Sequence, residues 1–400
     1  MFLSTLKEAQ DLLSNYLPKT GTYYTNKRNY SYDFENKIHS TSLLSPYIRY
    51  RLLSEENIIK KILTIHPFAK VEKFIQEIFW RTYWKGWLEH RVEVYEDYLS
   101  EKNFLLQEYN FKPVYEKVIN AETEIDFFNN WVKDLKKNGY LHNHVRMWFA
   151  SLWIFTFKLP WQLGANFFME NLLDGDPASN TLSWRWVAGI QTKGKHYLAR
   201  KDNIVKFSNI NVSEKILINE NAVSKVEEKI YAINELNLLN QNYVNTEAIL
   251  IPSDELNFIQ NNNYNFKYIF SGFPIDEYND HNFSINVIRH LRNITTSNFR
   301  DNEFYKDISY EIHFYNYHQN FKEWIKKYNI KNVYIPYVTK GNWTAIIKKI
   351  INDNPSINFI YLNRKYDREA WQYSKKGFFN FKKHIPELIT KINDERNFKN

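Results

Sequence analysis

Within the thirteen residues from Asp174 to Trp186 stand two carboxylates (Asp174, Asp176), one carboxamide (Asn180) and two indoles (Trp184, Trp186). Such polar groups, placed directly after an apolar run, are costly to bury unless something satisfies them. A large planar ligand with ring nitrogens and hydroxyls would do so. Asp-Gly-Asp-Pro also reads as a turn opening a helix, with an Asp cap and Pro177 in the first helical turn. That plainer reading leaves Trp161, Trp184 and Trp186 without a role.

Three more clusters carry chemistry. Thr41, Ser42, Leu44 and Ser45 bring hydroxyls and backbone amides to a helix starting near Pro46, a natural anion cradle, although a Ser cap followed by Pro is common in its own right. Glu77, Trp80, Arg81 and Trp84 fall on one helical face by the three/four spacing. A carboxylate beside an indole suits stacking of a planar base and hydrogen bonding to its edge; an aromatic core helix with a Glu–Arg pair is the plainer alternative. In His142-Asn143-His144-Val145-Arg146-Met147 the two His lack partners at metal-ligand spacing, so no metal is expected. Arg146 heads an apolar helix and needs a carboxylate, for which Asp174 and Asp176 are the candidates.

The elements that must position these groups change character along the chain. Residues 1–205 read as helical, with periodic apolar positions in Leu3–Leu17, Ile48–Ile65, Val71–Arg91, Phe127–Lys137, His144–Phe157 and Gly164–Leu173. Gly139 is placed as a helix stop. Residues 206–245 are polar and read as a connector with a helix over Ser224–Leu239. In residues 246–400, β-rich runs at Ala248–Pro252, Tyr268–Phe270, Val333–Tyr337 and Phe359–Leu362 accompany helical stretches at Ile285–Arg292, Phe321–Tyr328 and Trp343–Ile351. That alternation predicts an open, mostly parallel α/β sheet. The fold class expected is therefore multidomain α and α/β. Its loop Thr339-Lys340-Gly341-Asn342 sits where doubly wound sheets bind ligands, without a glycine-rich phosphate signature.

Nine of the twelve Trp precede residue 200, which again sets the helical part apart. The chain has no cysteine, excluding disulfides, thiolate nucleophiles, zinc–thiolate sites and iron–sulfur clusters. A net charge of +8 fits a polyanionic partner approached through one face. Neither a signal peptide nor a membrane-spanning window is found, so a cytoplasmic protein is expected.

Taken together, Tyr24 with Arg28, Thr41-Ser42-x-x-Ser45-Pro46, Glu77-x-x-Trp80-Arg81, His142-Asn143-x-x-Arg146-Met147, and Asp174-Gly175-Asp176-x-x-x-Asn180 with Trp184-x-Trp186 resemble the FAD-binding domain of the photolyase/cryptochrome family. The resemblance covers about residues 20–200. It implies an all-helical FAD-binding domain, followed here by a smaller Rossmann-like parallel-sheet domain, with no antenna domain ahead of it. By that resemblance Tyr24, Thr41, Ser42, Leu44, Ser45, Arg81, Asn143, Arg146, Asp174, Asp176 and Asn180 bind FAD. Glu77, Trp80, Asn143, Met147 and Trp186 contact a flipped pyrimidine dimer in DNA. Glu77 and Asn180 serve the chemistry, and Trp184 and Trp161 relay electrons, with Tyr109 near the place of the third relay member. A second, antenna chromophore would belong to the C-terminal domain. The implied activity is that of a deoxyribodipyrimidine photolyase-type lyase, the alternative being a cryptochrome-like blue-light photoreceptor.

Overall fold

The computed structural model describes residues 2–32, 38–109, 112–226, 229–236, 246–262 and 264–393. Among the described residues twelve α-helices precede the first strand: α1 Leu6–Tyr16, α2 Thr22–Lys27, α3 Ser45–Arg49, α4 Glu55–Ile65, α5 Phe68–Glu89, α6 Val92–Tyr109, α7 Pro113–Ile119, α8 Asp126–Asn138, α9 Asn143–Ser151, α10 Trp161–Asn171, α11 Pro177–Ala188 and α12 Lys201–Ser208. Five strands follow: β1 Thr246–Pro252, β2 Phe266–Gly272, β3 Ser309–His313, β4 Asn332–Pro336 and β5 Asn358–Leu362. Among them lie α13 Phe258–Asn262, α14 Ile275–Asp280, α15 Ile285–Asp301, α16 Tyr317–Lys327 and α17 Asn342–Asp353, and then α18 Lys365–Trp371, α19 Phe378–Lys382 and α20 Ile385–Asn393. The sheet is wholly parallel, in the order β3-β2-β1-β4-β5, as the alternating pattern predicts.

Local chemistry explains most helix boundaries. Gly139 ends α8 at φ 65, a left-handed cap that costs glycine nothing. Asp176 caps α11 by accepting from the Ser179 amide at 2.9 Å, with Pro177 in the first turn. The run His144–Phe157 does form a helix, but its end, Leu152–Thr156, winds as a π-turn.

Two expectations are corrected. The single helix expected over Ile48–Ile65 is two, because Arg51 adopts φ 52 and Ser54 caps α4 by accepting from the Asn57 amide. No helix forms in the described part of Ser224–Leu239. There the Lys225 amide donates to the Ala188 carbonyl and the Asn234 amide to the His90 carbonyl, so the backbone is spent on outside partners. Strand β3 went unread in the sequence: SYEIH alternates polar groups on a half-exposed strand at the sheet edge.

The chain packs as two compact units, one of residues 22–43 and 91–232, the other of residues 2–21, 44–90 and 233–400. This differs from the linear division into 1–205, 206–245 and 246–400, since α1 and α3–α5 belong to the unit that contains the sheet. One hydrophobic core accounts for it: Leu6, Ala9, Tyr47, Tyr50 and Leu52 share a cluster with Ile249, Phe270 and Val333 of the strands.

That unit also holds a buried ion network. Arg51 pairs with Glu255, with Asp367 at 2.7 Å and with Glu55 at 3.5 Å. Arg364 meets Glu56 at 2.5 Å and Glu55 at 3.4 Å, and Arg81 reaches Glu55 at 3.1 Å. Burial alone would push the Glu55 carboxyl up, but Arg51, Arg364 and Arg81 hold it well below the ordinary carboxylate range. Burial pushes Glu255 up against the pull of Arg51.

Removing one partner from such a network strands a buried charge, which costs about 3–5 kcal/mol. Arg364→Ala is therefore expected to lower unfolding stability by that amount in urea titrations. Because the folded Glu55 pKa lies below its ordinary 4.5, its contribution is complete above that pH and fades as pH falls further. Acid unfolding should accordingly be less steep in the variant than in the parent protein.

Candidate functional site

In the all-helical unit, the Asp174 loop is fixed from several sides. The Leu173 amide donates to the Gly139 carbonyl at 2.8 Å, joining the loop to the end of α8. Arg146 donates from Nη2 to Asp174 Oδ2 at 2.9 Å and from Nε to the Leu141 carbonyl at 2.8 Å. The Arg146 partner expected from sequence is thus Asp174, while Asp176 serves as helix cap. Asn180 donates its Nδ2 to the Ala165 carbonyl at 2.8 Å, which commits the donor end of the amide and leaves Oδ1 as the accepting end.

Several polar atoms here are buried without a protein hydrogen-bond partner among the described residues: Asp174 Oδ1, Ser179 Oγ and Thr181 Oγ1. Asp174 Oδ1 is the pure acceptor among them, and a buried unpaired acceptor fits a partner bearing an N–H or O–H donor; Ser179 and Thr181, two positions apart on α11, face different sides of the helix. The residues therefore fit a polar planar group. On α9, Asn143 is exposed and Arg146 and Met147 are half-buried, so positions 143, 146 and 147 form one accessible face, with Asn143 Nδ2 3.9 Å from Met147 Sδ. Tyr24 is buried on α2, and Thr41 Oγ1 lies 3.2 Å from the Tyr140 hydroxyl. Burial holds the His142 imidazole down at about 3, so it is neutral across the physiological range. No group of three or more His, Asp or Glu among the described residues is placed to hold a metal.

The indoles of this unit form a packed aromatic body. Trp184 is buried on α11 and meets Trp153 edge-on at 6.1 Å and Phe168 at 5.1 Å. A Cβ on Gly164 would stand 2.2 Å from the Trp184 ring, so only glycine lets α10 and α11 approach this closely. Trp161 stacks on Tyr98 at 5.6 Å, and Tyr98 meets Tyr95 at 5.7 Å. Trp186 is half-buried and stacks on Tyr197 at 5.8 Å.

The remaining sequence candidates lie in the other unit. On α5, Glu77, Trp80, Arg81, Trp84 and Trp87 are half-buried while most intervening positions are buried, the one-faced stripe that the spacing predicts. Arg81 is committed to Glu55 and to the Arg49 carbonyl. Trp80 is not an open platform: Phe378 of α19 lies parallel to it at 3.6 Å and 13°. One face of the Trp80 ring is thereby occupied, while the side chain stays partly exposed. Ser45 opens α3 with Leu44 as its N-cap, and the division between the units falls between Leu43 and Leu44. The strand–loop–helix at Val333–Ile347 forms as predicted, but its loop is engaged by Glu89, which accepts from the Lys340 amide at 2.8 Å and from the Tyr337 hydroxyl at 2.5 Å.

Residues 74–218 match the family described as the FAD binding domain of DNA photolyase. A deoxyribodipyrimidine photo-lyase of Alkalihalophilus pseudofirmus is 29% identical over 184 residues, covering 44% of this chain and 37% of the relative. One from Agrobacterium fabrum is 29% identical over 153 residues, covering 38% and 32%. Over this helical region the chain is similar to DNA photolyases. It spans well under half the length of either relative. Among solved structures, a bacterial class III photolyase from Agrobacterium tumefaciens aligns with a TM-score of 0.43 at 24% identity, covering 51% of this chain and 43% of that one.

The matched segment contains most of α5, with α9, the Asp174 loop and α11, and hence every site candidate from Glu77 to Trp186. Sequence reasoning missed Trp153, Tyr98 and Phe378. Trp153 sits inside an apolar helical run, where an aromatic residue reads as core, and Tyr98 stands among the charged residues of α6, where nothing local marks it. Phe378 lies almost three hundred positions after Trp80, and nothing local links them.

Glu170 follows Trp161 on α10, and its Oε1 accepts from Asn166 Nδ2 at 2.7 Å. Burial pushes its carboxyl up to about 7. The unfolded carboxyl ionises near 4.5, so folding binds a proton. Stability is fullest below that pH and declines as pH rises to about 7, by roughly 3 kcal/mol. Glu170→Gln is expected to abolish this decline in urea titrations at pH 5 and pH 8. An undiminished difference between the two pH values would contradict it.

Proposed function

We propose that the helical unit binds FAD and that the chain is a blue-light-driven photolyase acting on cyclobutane pyrimidine dimers in DNA. One observation carries the reading: the Arg146–Asp174 pair with the other Asp174 carboxylate oxygen buried and unpartnered among the described residues, on a segment matched to a photolyase FAD-binding domain. When bound and reduced, FAD would supply on illumination the electron that splits the cyclobutane ring, with return of the electron and no net redox change.

The chain's residues have distinct tasks in this proposal. Arg146 places a fixed positive charge, oriented by Asp174 and the Leu141 carbonyl, against an electron-rich ring. Asn180 offers a neutral accepting oxygen that demands no proton transfer. Asp176, Asn143, Tyr24, Thr41 and Ser42 supply polar contacts to the remainder of the cofactor, as Leu44, Ser45 and Arg81 do by family resemblance. Trp184 and Trp161 relay electrons inward; Trp153 and Tyr98 extend that relay in preference to Tyr109, because they are the rings in contact with Trp184 and Trp161. In the helical unit Asn143, Met147 and Trp186 receive the lesion; Glu77 is assigned to it by family resemblance alone. Trp80 joins them only where Phe378 gives way.

A cryptochrome-like photoreceptor is the second reading, favoured by that same stack. A C-terminal segment lying on Trp80 suits a chain that signals through this segment instead of accepting a base.

Two experiments test the proposal. Trp184→Phe should slow photoreduction of bound FAD, followed by absorbance, while chemically reduced protein keeps its repair rate; equal photoreduction would remove Trp184 from the relay. With an oligonucleotide carrying one cyclobutane dimer, illuminated reduced protein should restore thymines seen by chromatography. Glu77→Ala should lower that yield about tenfold, the worth of one charge-assisted hydrogen bond, with FAD retained. No restored thymines from the parent protein would leave the photoreceptor reading in its place.

A further inference from the structure

Helix α15 carries Arg289, Arg292 and Arg300 on one face, together with Asn293 and Thr296, at the three/four spacing of neighbouring turns. The opposite face holds the helix in the core through Val287, Leu291 and Ile294. The arginine face therefore contributes nothing to burial. It lines a cavity of about 600 Å³ with Ile275, Ile285 and Tyr315. At a rise of about 1.5 Å per residue, the three guanidiniums are spread along roughly 16 Å of helix.

Charge and exposure argue that this groove is unfinished by the protein. Like charges three residues apart on a helix repel each other, yet among the described residues neither Arg289 nor Arg292 has a carboxylate partner. Arg289 has only Asn286 Oδ1, at 3.4 Å. Arg292 lies over the Phe314 ring at 5.5 Å, which fixes its direction without neutralising it. Arg300 pairs with Asp301 at 2.7 Å, and on neighbouring α14 Glu277 is taken by His318 and Lys349. At the rim, Tyr315 is 55% exposed and Ile285 64% exposed, apolar surface that water does not favour.

A linear row of cations suits successive charges on an extended polyanion better than one compact anion. An exposed aromatic ring beside such a row is the pairing that single-stranded nucleic acids use, phosphates on the cations and a base on the ring. We propose that the α15 groove binds a single strand of nucleic acid, with phosphates on Arg289, Arg292 and Arg300 and a base against Tyr315. The inference needs neither bound flavin nor a lesion, so it stands or falls apart from the repair reading.

The test is fluorescence anisotropy in the dark with a labelled, undamaged fifteen-nucleotide oligo-dT across a salt series. The double variant Arg289→Ala/Arg292→Ala should bind about tenfold more weakly. Its plot of log affinity against log salt should flatten by about 1.4, or 0.7 for each single-strand phosphate that the variant no longer neutralises. Arg289→Lys/Arg292→Lys should retain most of the affinity, and Tyr315→Ala should weaken binding without altering the slope. An unchanged affinity and slope in the double Ala variant would overturn the proposal. So would displacement of the oligonucleotide by ATP at equal phosphate concentration, which marks a small-anion site, or arginine-dependent binding to vesicles of anionic phospholipid in its place.

Discussion

The sheet-bearing unit depends on one buried electrostatic arrangement, in which Arg51 and Arg364 are enclosed by Glu55, Glu56, Glu255 and Asp367. Charges removed from water are tolerated only when each finds a partner. The arrangement therefore fixes the turn before α4, the loop after β1 and the start of α18 together. Arg81 enters the same network from α5, so the helix carrying Glu77 and Trp80 is held by it as well. Position along the chain counts for little beside this. Segments separated by more than three hundred residues share one hydrophobic core, and the ion network fixes their register within it because each buried charge needs its partner.

In the all-helical unit the controlling contact is smaller and of another kind. Arg146 and Asp174 form a half-open pair that neutralises the loop without consuming all its acceptors. One buried carboxylate oxygen, Asp174 Oδ1, is thereby left without a protein partner among the described residues. Around it, the Trp184–Gly164 contact and the Asn180–Ala165 hydrogen bond set the separation and rotation of α10 against α11. Packing and polar geometry meet at the same helix pair, and the site's shape follows from the close approach that a single missing Cβ permits.

The stack of Phe378 on Trp80 and the hold of Glu89 on the Lys340 loop share a logic. Both take a feature that could meet a ligand and join it to another part of the same unit. The C-terminal α/β segment is therefore built into its unit through α5 as well as through the sheet. A regulatory part in the proposed chemistry would act through the Trp80 face, where a base and Phe378 would compete for one aromatic surface.

Much of this was legible in the residues themselves. Hydrophobic period separated helical from α/β regions, since an amphipathic helix and a buried strand write different spacings. Asp176 and Gly139 announced their helix ends, because capping is local chemistry. Arg146 announced its need for a carboxylate, because an apolar helix offers none. Four of the five strands could be read from their β-rich runs; β3 could not, because an edge strand with polar faces lacks that signal. Tertiary structure alone decided which carboxylate Arg146 takes, that Ile48–Ile65 breaks at Arg51, that α1 and α3–α5 pack with the sheet, and that one face of Trp80 is covered. Except for the break at Arg51, which the Arg51 backbone and the Ser54 cap set locally, each of these is a contact between residues distant in sequence, settled by burial and charge balance in three dimensions, which no local spacing encodes.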